Sequence, residues 1–359
     1  MAGIFGVLGL PDTDRSFVNV LGQRVVFDAV STYLAQHNAQ LEAAMSFFIA
    51  STTEDYKLRY KLPGGGRLQR RNRQGVAAAV KGIGQWDIAL PLEDWGAQIA
   101  GDDVSLAYMR LDELNRHLET VRLQDIGTVR YEILRRIFNS AQTSFTDELY
   151  GALLIEPAAN GDAVVYSPVL GSETEATENH YLESGFASSA ISDTNDPFVT
   201  MRDELEEHFG ASESGSPIVT FINNAQTAKT EDLTDFDPVT ERFVQPGADT
   251  DQLTGLPAGL PGERTIGVVH SCVVREWRWI PANYMLSVYL GVEPPLIQRV
   301  DPADTGLGQG LQIVSEDETY PFKQTHYRHR FGLGFGNRLN AVIMELGVGG
   351  SYSIPAAYA

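Results

Sequence analysis

One run of the sequence, from Leu111 to Leu149, sets the scale of any fold this chain can adopt. Leu111, Leu114, Leu118, Val121, Val129, Ile133, Ile137, Ala141 and Phe145 recur at three- and four-residue intervals, which predicts helix with one buried face. At about 1.5 Å per residue, a single helix over this run would exceed roughly 50 Å, longer than a small domain is wide. Gly127 leaves a second arrangement open, two consecutive helices joined at that residue. Arg122, Arg130, Arg135 and Arg136 lie off the apolar stripe and could meet acids on another element or another chain. An earlier run, Val26 to Phe48, places Val26, Val30, Tyr33, Leu34, Leu41, Met45 and Phe48 on one helical stripe.

Between these helices the charge pattern changes. The chain of 359 residues carries 27 Lys and Arg against 47 Asp and Glu, a net charge of -20 at pH 7. Yet Lys57, Arg59, Lys61, Arg67, Arg70, Arg71 and Arg73 follow one another with no acid between them, around the turn-forming Pro63-Gly64-Gly65-Gly66. DYKLRYKL and GRLQRRNR alternate apolar and basic residues with period two, so residues 51 to about 100 are expected to form a long projecting β-hairpin. Such a hairpin has little core of its own and needs a surface to pack on. The acidic remainder argues against tight general binding of DNA or RNA, where affinity comes from cations neutralising phosphate.

Other classes are excluded by composition. At 43% hydrophobic residues the chain can bury more than one core, and one cysteine, Cys272, cannot form an internal disulfide. Apolar runs fall short of the roughly 18 to 20 residues of a membrane span. The opening MAGIFGVLGL lacks the basic n-region of a signal peptide.

Beyond residue 149 the sequence turns to strands. GALLIEPA and DAVVYSPV flank Asn160-Gly161, which predicts a second hairpin. Asp196 and Pro197 mark a helix start, and FVTMRDELEEHF runs to a cap at Gly210. SPIVTFIN reads as a buried strand, residues 229 to 263 as an acidic surface insertion, and the last third as mainly strands.

Catalytic signatures are sparse. No GxxxxGK[ST], HExxH or GxSxG occurs. Gly332, Gly334 and Gly336 in FGLGFGN precede an apolar strand, not the helix a dinucleotide loop requires, so they are read as a glycine-bearing strand or turn. His326 and His329 would face opposite sides of a strand and could not share a metal. Asp235 with Asp237 and Asp249 with Asp251 lack a full calcium-loop spacing. His270 and Cys272 would share one strand face, without a third group to orient them. No cofactor is expected. A basic projection, a long helix, an acidic body and a terminal arm are what a self-assembling subunit requires.

That order of elements resembles the major capsid proteins of tailed double-stranded DNA bacteriophages, which share the HK97-like fold. VVREWRWIPANYMLSVYLG is similar to the family's axial segment. PFKQTHYRHRFGLGFGNRLNAVIMELG is similar to its closing strands, through Arg328, Arg330, Phe331, Gly332, Asn337 and Arg338. The resemblance implies an α+β chain with an N-terminal arm (1–50), an extended β-hairpin loop (51–105), a peripheral domain (106–200 and 305–359) containing a spine helix (111–149), and an axial domain (201–304). It implies hexamers and pentamers of an icosahedral shell in the virion, assembled in the host cytoplasm. The implied partners are portal, scaffolding and possibly decoration proteins, with packaged DNA enclosed but not read. The basic residues 57–73 are expected to reach acids on a neighbouring subunit, either Glu204, Glu206 and Glu207 or those at 231–237. An encapsulin-like nanocompartment shell and a soluble α/β enzyme remain alternatives at this point.

Overall fold

A computed structural model describes residues 17–18, 23–61, 85–100, 108–147, 150–172, 174–210, 217–238, 263–314 and 324–359. In chain order the elements are α1 (Gln23–Met45), β1 (Ile49–Thr53), β2 (Lys57–Lys61), β3 (Gln85–Ala89), β4 (Glu93–Ala100) and α2 (Leu111–Phe138). There follow β5 (Thr143–Asp147), β6 (Gly151–Ile155), β7 (Tyr181–Glu183), α3 (Pro197–Phe209), β8 (Ile218–Ile222), α4 (Thr227–Glu231) and β9 (Phe236–Pro238). The chain closes with β10 (Glu263–Val269), β11 (Cys272–Trp277), β12 (Tyr284–Tyr289), β13 (Leu296–Arg299), β14 (Gln312–Val314), β15 (Gln324–Phe335) and β16 (Val342–Glu345). Two compact units result, one from residues 1–45, 91–132 and 299–332, the other from 46–90, 133–298 and 333–359. Among the described residues no helix is long and apolar enough to cross a membrane.

In the first unit, the predicted stripes meet. Val26, Val30, Tyr33 and Leu34 of α1 pack with Leu111, Leu114, Leu118 and Val121 of α2 and with Tyr327 of β15. β15 runs antiparallel to β4, from Gln324 opposite Ala100 to Phe331 opposite Glu93, and to β14. Gly332 answers a close approach here: a Cβ at this position would fall on the Pro91 carbonyl. Gly332 and Gly334 lie within β15 and Gly336 in the bend that follows it, the glycine-bearing strand and turn that the sequence indicated.

The second unit is built on a mixed seven-stranded sheet in the order β7-β16-β12-β8-β11-β10-β9. Every residue of β8 is buried, as its unbroken IVTFI pattern predicts for a central strand. Its one polar residue, Thr220, faces Ser287 of β12, and their hydroxyls hydrogen-bond at 2.8 Å. α3 lays Phe198, Met201 and Leu205 on this sheet against Ile218, Ile222 and Met285. Its ends are those read from the sequence: Asp196 Oδ1 accepts from Phe198 N at 2.8 Å, and Gly210, at φ 59°, donates its N–H to Glu206 O.

Three expectations are corrected. α2 is one helix through Gly127 but stops at Phe138, where Asn139 Oδ1 accepts from Ala141 N and turns the chain into β5. The partner of KLRYK in β2 is QWDIA of β3, register Lys57 opposite Ala89 to Lys61 opposite Gln85. GRLQRRNR lies outside the described residues. The hairpin at Asn160-Gly161 does not form, since β6 pairs back onto β5. The carbonyls of Pro157 and Ala158 and the Asp162 carboxylate are instead turned onto the fully buried Arg338 guanidinium, at 2.7, 3.2 and 2.7 Å. A buried guanidinium needs such acceptors more than the segment needs a strand partner.

Candidate assembly surfaces

The basic hairpin is anchored by its apolar face. Tyr60 stacks on Trp86 at 5.1 Å between ring centroids, and Trp86 donates its indole N–H to Gly336 O at 3.1 Å. Tyr60 Oη donates to Glu293 Oε2 at 3.0 Å. The opposite face carries Lys57 and Arg59, and both turn to Asp87 of β3: Lys57 Nζ to Oδ2 at 2.9 Å, Arg59 Nε to Oδ1 at 2.8 Å. Hydrogen bonds from Arg59 and Lys57 hold the Asp87 carboxyl down at about 2. Two of the seven bases therefore have an acid within their own hairpin, which the run 57–73 alone does not reveal. Lys61 is exposed at the end of β2. Arg67, Arg70, Arg71 and Arg73 lie outside the described residues.

The three glutamates of α3 fall into two environments. Glu206 faces Arg202, Oε2 to Nε at 3.7 Å. Glu204 and Glu207, one turn apart, share a half-buried face with Glu178, a residue the sequence did not single out. Burial pushes the Glu204 carboxyl up to about 7, reinforced by the charges of Glu207 and Glu178. Glu178 is raised by burial and by Glu207, and Glu207 by burial. By contrast Glu231, Asp232, Asp235 and Asp237 are all exposed.

Among the described residues, those weighed for catalysis are held in the fold as follows. His270 is not on a strand face but in the β10–β11 turn, with Ser271, both at positive φ. Its Nε2 stands 2.8 Å from Asp196 Oδ2, so it ties that turn to the start of α3. Cys272 is wholly buried and burial pushes its thiol up to about 12, which leaves almost no thiolate at neutral pH. Asp249 and Asp251 lie outside the described residues. His326 is exposed and His329 buried, on opposite faces of β15 as expected.

His329 instead joins a buried trio that the sequence reading missed. Asp125 of α2 receives His329 Nδ1 at 2.6 Å on Oδ1 and His37 Nε2 of α1 at 2.8 Å on Oδ2. The signal was present as a gap: Asp125 falls midway between Val121 and Val129 on the apolar stripe, and His37 between Leu34 and Leu41. A polar residue on a buried stripe implies a buried partner. One further convergence is present among the described residues, where ligand atoms of Glu178, Glu207 and His208 all lie within 4.8 Å of one another.

No protein-family model matches the sequence, and no curated protein does. Solved structures do. A chain from Mycobacterium phage Patience is similar over 93% of this chain and 91% of that one, with 19% identity and a TM-score of 0.65. The capsid of Ralstonia phage GP4 is similar over 87% and 91%, at 13% identity and a TM-score of 0.48. A virus-like particle from Pyrococcus furiosus is similar over 89% and 99%, at 12% identity and a TM-score of 0.41. The likeness to the Patience chain shows a shared fold along nearly the whole of both chains, the α+β HK97-like fold that the order of elements led us to expect.

Proposed function

We propose that this chain is the major capsid subunit of a tailed double-stranded DNA phage, building an icosahedral shell from hexamers and pentamers of itself. The observation that carries the proposal is the fold shared with a phage chain over 93% of this chain and 91% of that one. Net acidity suits a wall that encloses DNA without holding it. The arrangement around His270 and Cys272 supports structural roles for both, so no catalytic function is proposed.

In this reading residues 1–50 are the arm, 51–105 the extended loop, α2 the spine helix, 201–304 the axial domain, and 106–200 with 305–359 the peripheral domain. The bases at 61–73 dock on a neighbouring subunit. The acids at 231–237 are exposed where Glu204 and Glu207 are recessed; of them Asp232 stands 3.7 Å from Lys229 and Asp235 3.5 Å from His270, which leaves Glu231 and Asp237 as the acids that suit the bases best. The partners that the family resemblance implies, portal and scaffolding proteins among them, belong to the same reading. Light scattering after size exclusion, followed by negative-stain microscopy of the expressed chain, tests the proposal. Closed megadalton shells are the expected result, and a small oligomer under all assembly conditions would overturn it. Native particles that hold cargo protein instead of DNA would identify an encapsulin-like compartment.

A further inference from the structure

Backbone hydrogen bonds fix the two segments that carry Glu178, Glu207 and His208. Glu207 and His208 occupy the last turn of α3, and Glu207 O accepts from Leu170 N at 2.7 Å. Glu178 O accepts from Gly161 N at 2.9 Å. His180, two residues on, sets its ring against that of His208 with centroids 5.2 Å apart, which fixes the imidazole plane. The His208 side chain is 3% exposed, and its Nε2 makes no hydrogen bond among the described residues. That nitrogen points to Glu207, with Oε1 at 3.7 Å, too long for a hydrogen bond. A buried imidazole nitrogen without a partner is costly, and so are two half-buried carboxylates side by side. A cation between them would relieve both.

We infer that Glu178, Glu207 and His208 form a divalent transition-metal site. One imidazole nitrogen and two carboxylate oxygens suit Zn²⁺ or Mn²⁺, whereas Ca²⁺ requires six to eight oxygens. Three protein ligands leave a fourth position for water or for a group on another chain. The C-terminal end of α3 adds negative potential from the helix dipole. The site would tie the end of α3 to the loop before β7, and it stands or falls independently of the capsid reading.

Isothermal titration of the untagged full chain, freed of metal by chelator and dialysed at pH 7, with ZnCl₂ and separately MnCl₂ tests the inference. One saturating equivalent of either metal is expected. The shape-preserving double variant Glu178→Gln/Glu207→Gln should bind at least about a hundredfold more weakly, beyond the loss from disturbing residues that merely support ligands. Circular dichroism establishes that this variant is folded, and Asp203→Asn, on the same helix, should leave binding unchanged. Absence of saturable binding of both metals would overturn the site, as would equal affinity in the double variant.

Discussion

Asp125 Oδ1 lies 2.6 Å from His329 Nδ1, joining a residue of the long helix α2 to one of strand β15. His37 occupies the other oxygen of the same carboxylate at 2.8 Å, so a single acid fastens α1, α2 and β15 in one core. Burial raises the Asp125 carboxyl, but hydrogen bonds from His329 and then His37 outweigh it, and the net displacement is downward. Asp125→Ala should cost about 3 to 5 kcal/mol, since it leaves two buried imidazoles without their acceptor. With its native ionisation below the unfolded value near 3.9, Asp125 stabilises the fold above that pH. This contribution is lost as pH falls through the native value. The melting-temperature gap between wild type and Asp125→Asn should therefore be wide at pH 7 and narrow progressively as the pH falls below the unfolded carboxyl value; a gap independent of pH would contradict the assignment.

Arg338 is fully buried and its guanidinium meets Pro157 O, Ala158 O and Asp162 Oδ2. A lysine keeps the charge but cannot hold acceptors in a planar fork. Arg338→Lys should destabilise the chain by about 2 to 4 kcal/mol, and Arg338→Ala by more, because either leaves buried acceptors unsatisfied. Urea unfolding with both variants measures this, and a loss below about 0.5 kcal/mol, typical of a neutral surface change, would refute it.

Cys272 should be chemically silent in the folded chain. At pH 8 its thiol, displaced to about 12 by burial, should resist a water-soluble disulfide reagent and react only when denaturant is added. Labelling within seconds in the native state would show that the β10–β11 hairpin opens readily.

The basic hairpin carries the assembly prediction. Arg70→Glu, Arg71→Glu and Arg73→Glu together should abolish shells while leaving a subunit with native circular dichroism, because reversed charge repels acids on the neighbour. Normal particle yield would remove these residues from the contact. Lys57→Gln should matter less, since Arg59 still neutralises Asp87.

How far the fold could be read in advance depended on where its causes lie. α3 was legible from end to end because its start at Asp196-Pro197, its apolar face and its Gly210 cap are all local. β8 declared itself through an unbroken apolar run. The end of α2 was misplaced because Ala141 and Phe145 continue the helical spacing, whereas the chain turns at Asn139 and pairs Phe145 with Leu153 in a sheet. Asn160-Gly161 carries strong hairpin chemistry, yet Arg338, nearly two hundred residues away in the chain, claims that segment for its hydrogen bonds.

The sequence by itself determined the two amphipathic helices, the capped helix α3, the buried strand β8, and the contrast between a basic run and an acidic chain. These follow from periodicity, end signals and composition, which act over a few residues. Only the tertiary structure decided that Lys57 and Arg59 share Asp87, that Glu207 converges with Glu178 and His208, and that His37, Asp125 and His329 share one carboxylate. Buried charges and imidazoles find partners by proximity in space, and separation along the chain carries almost no information about that proximity.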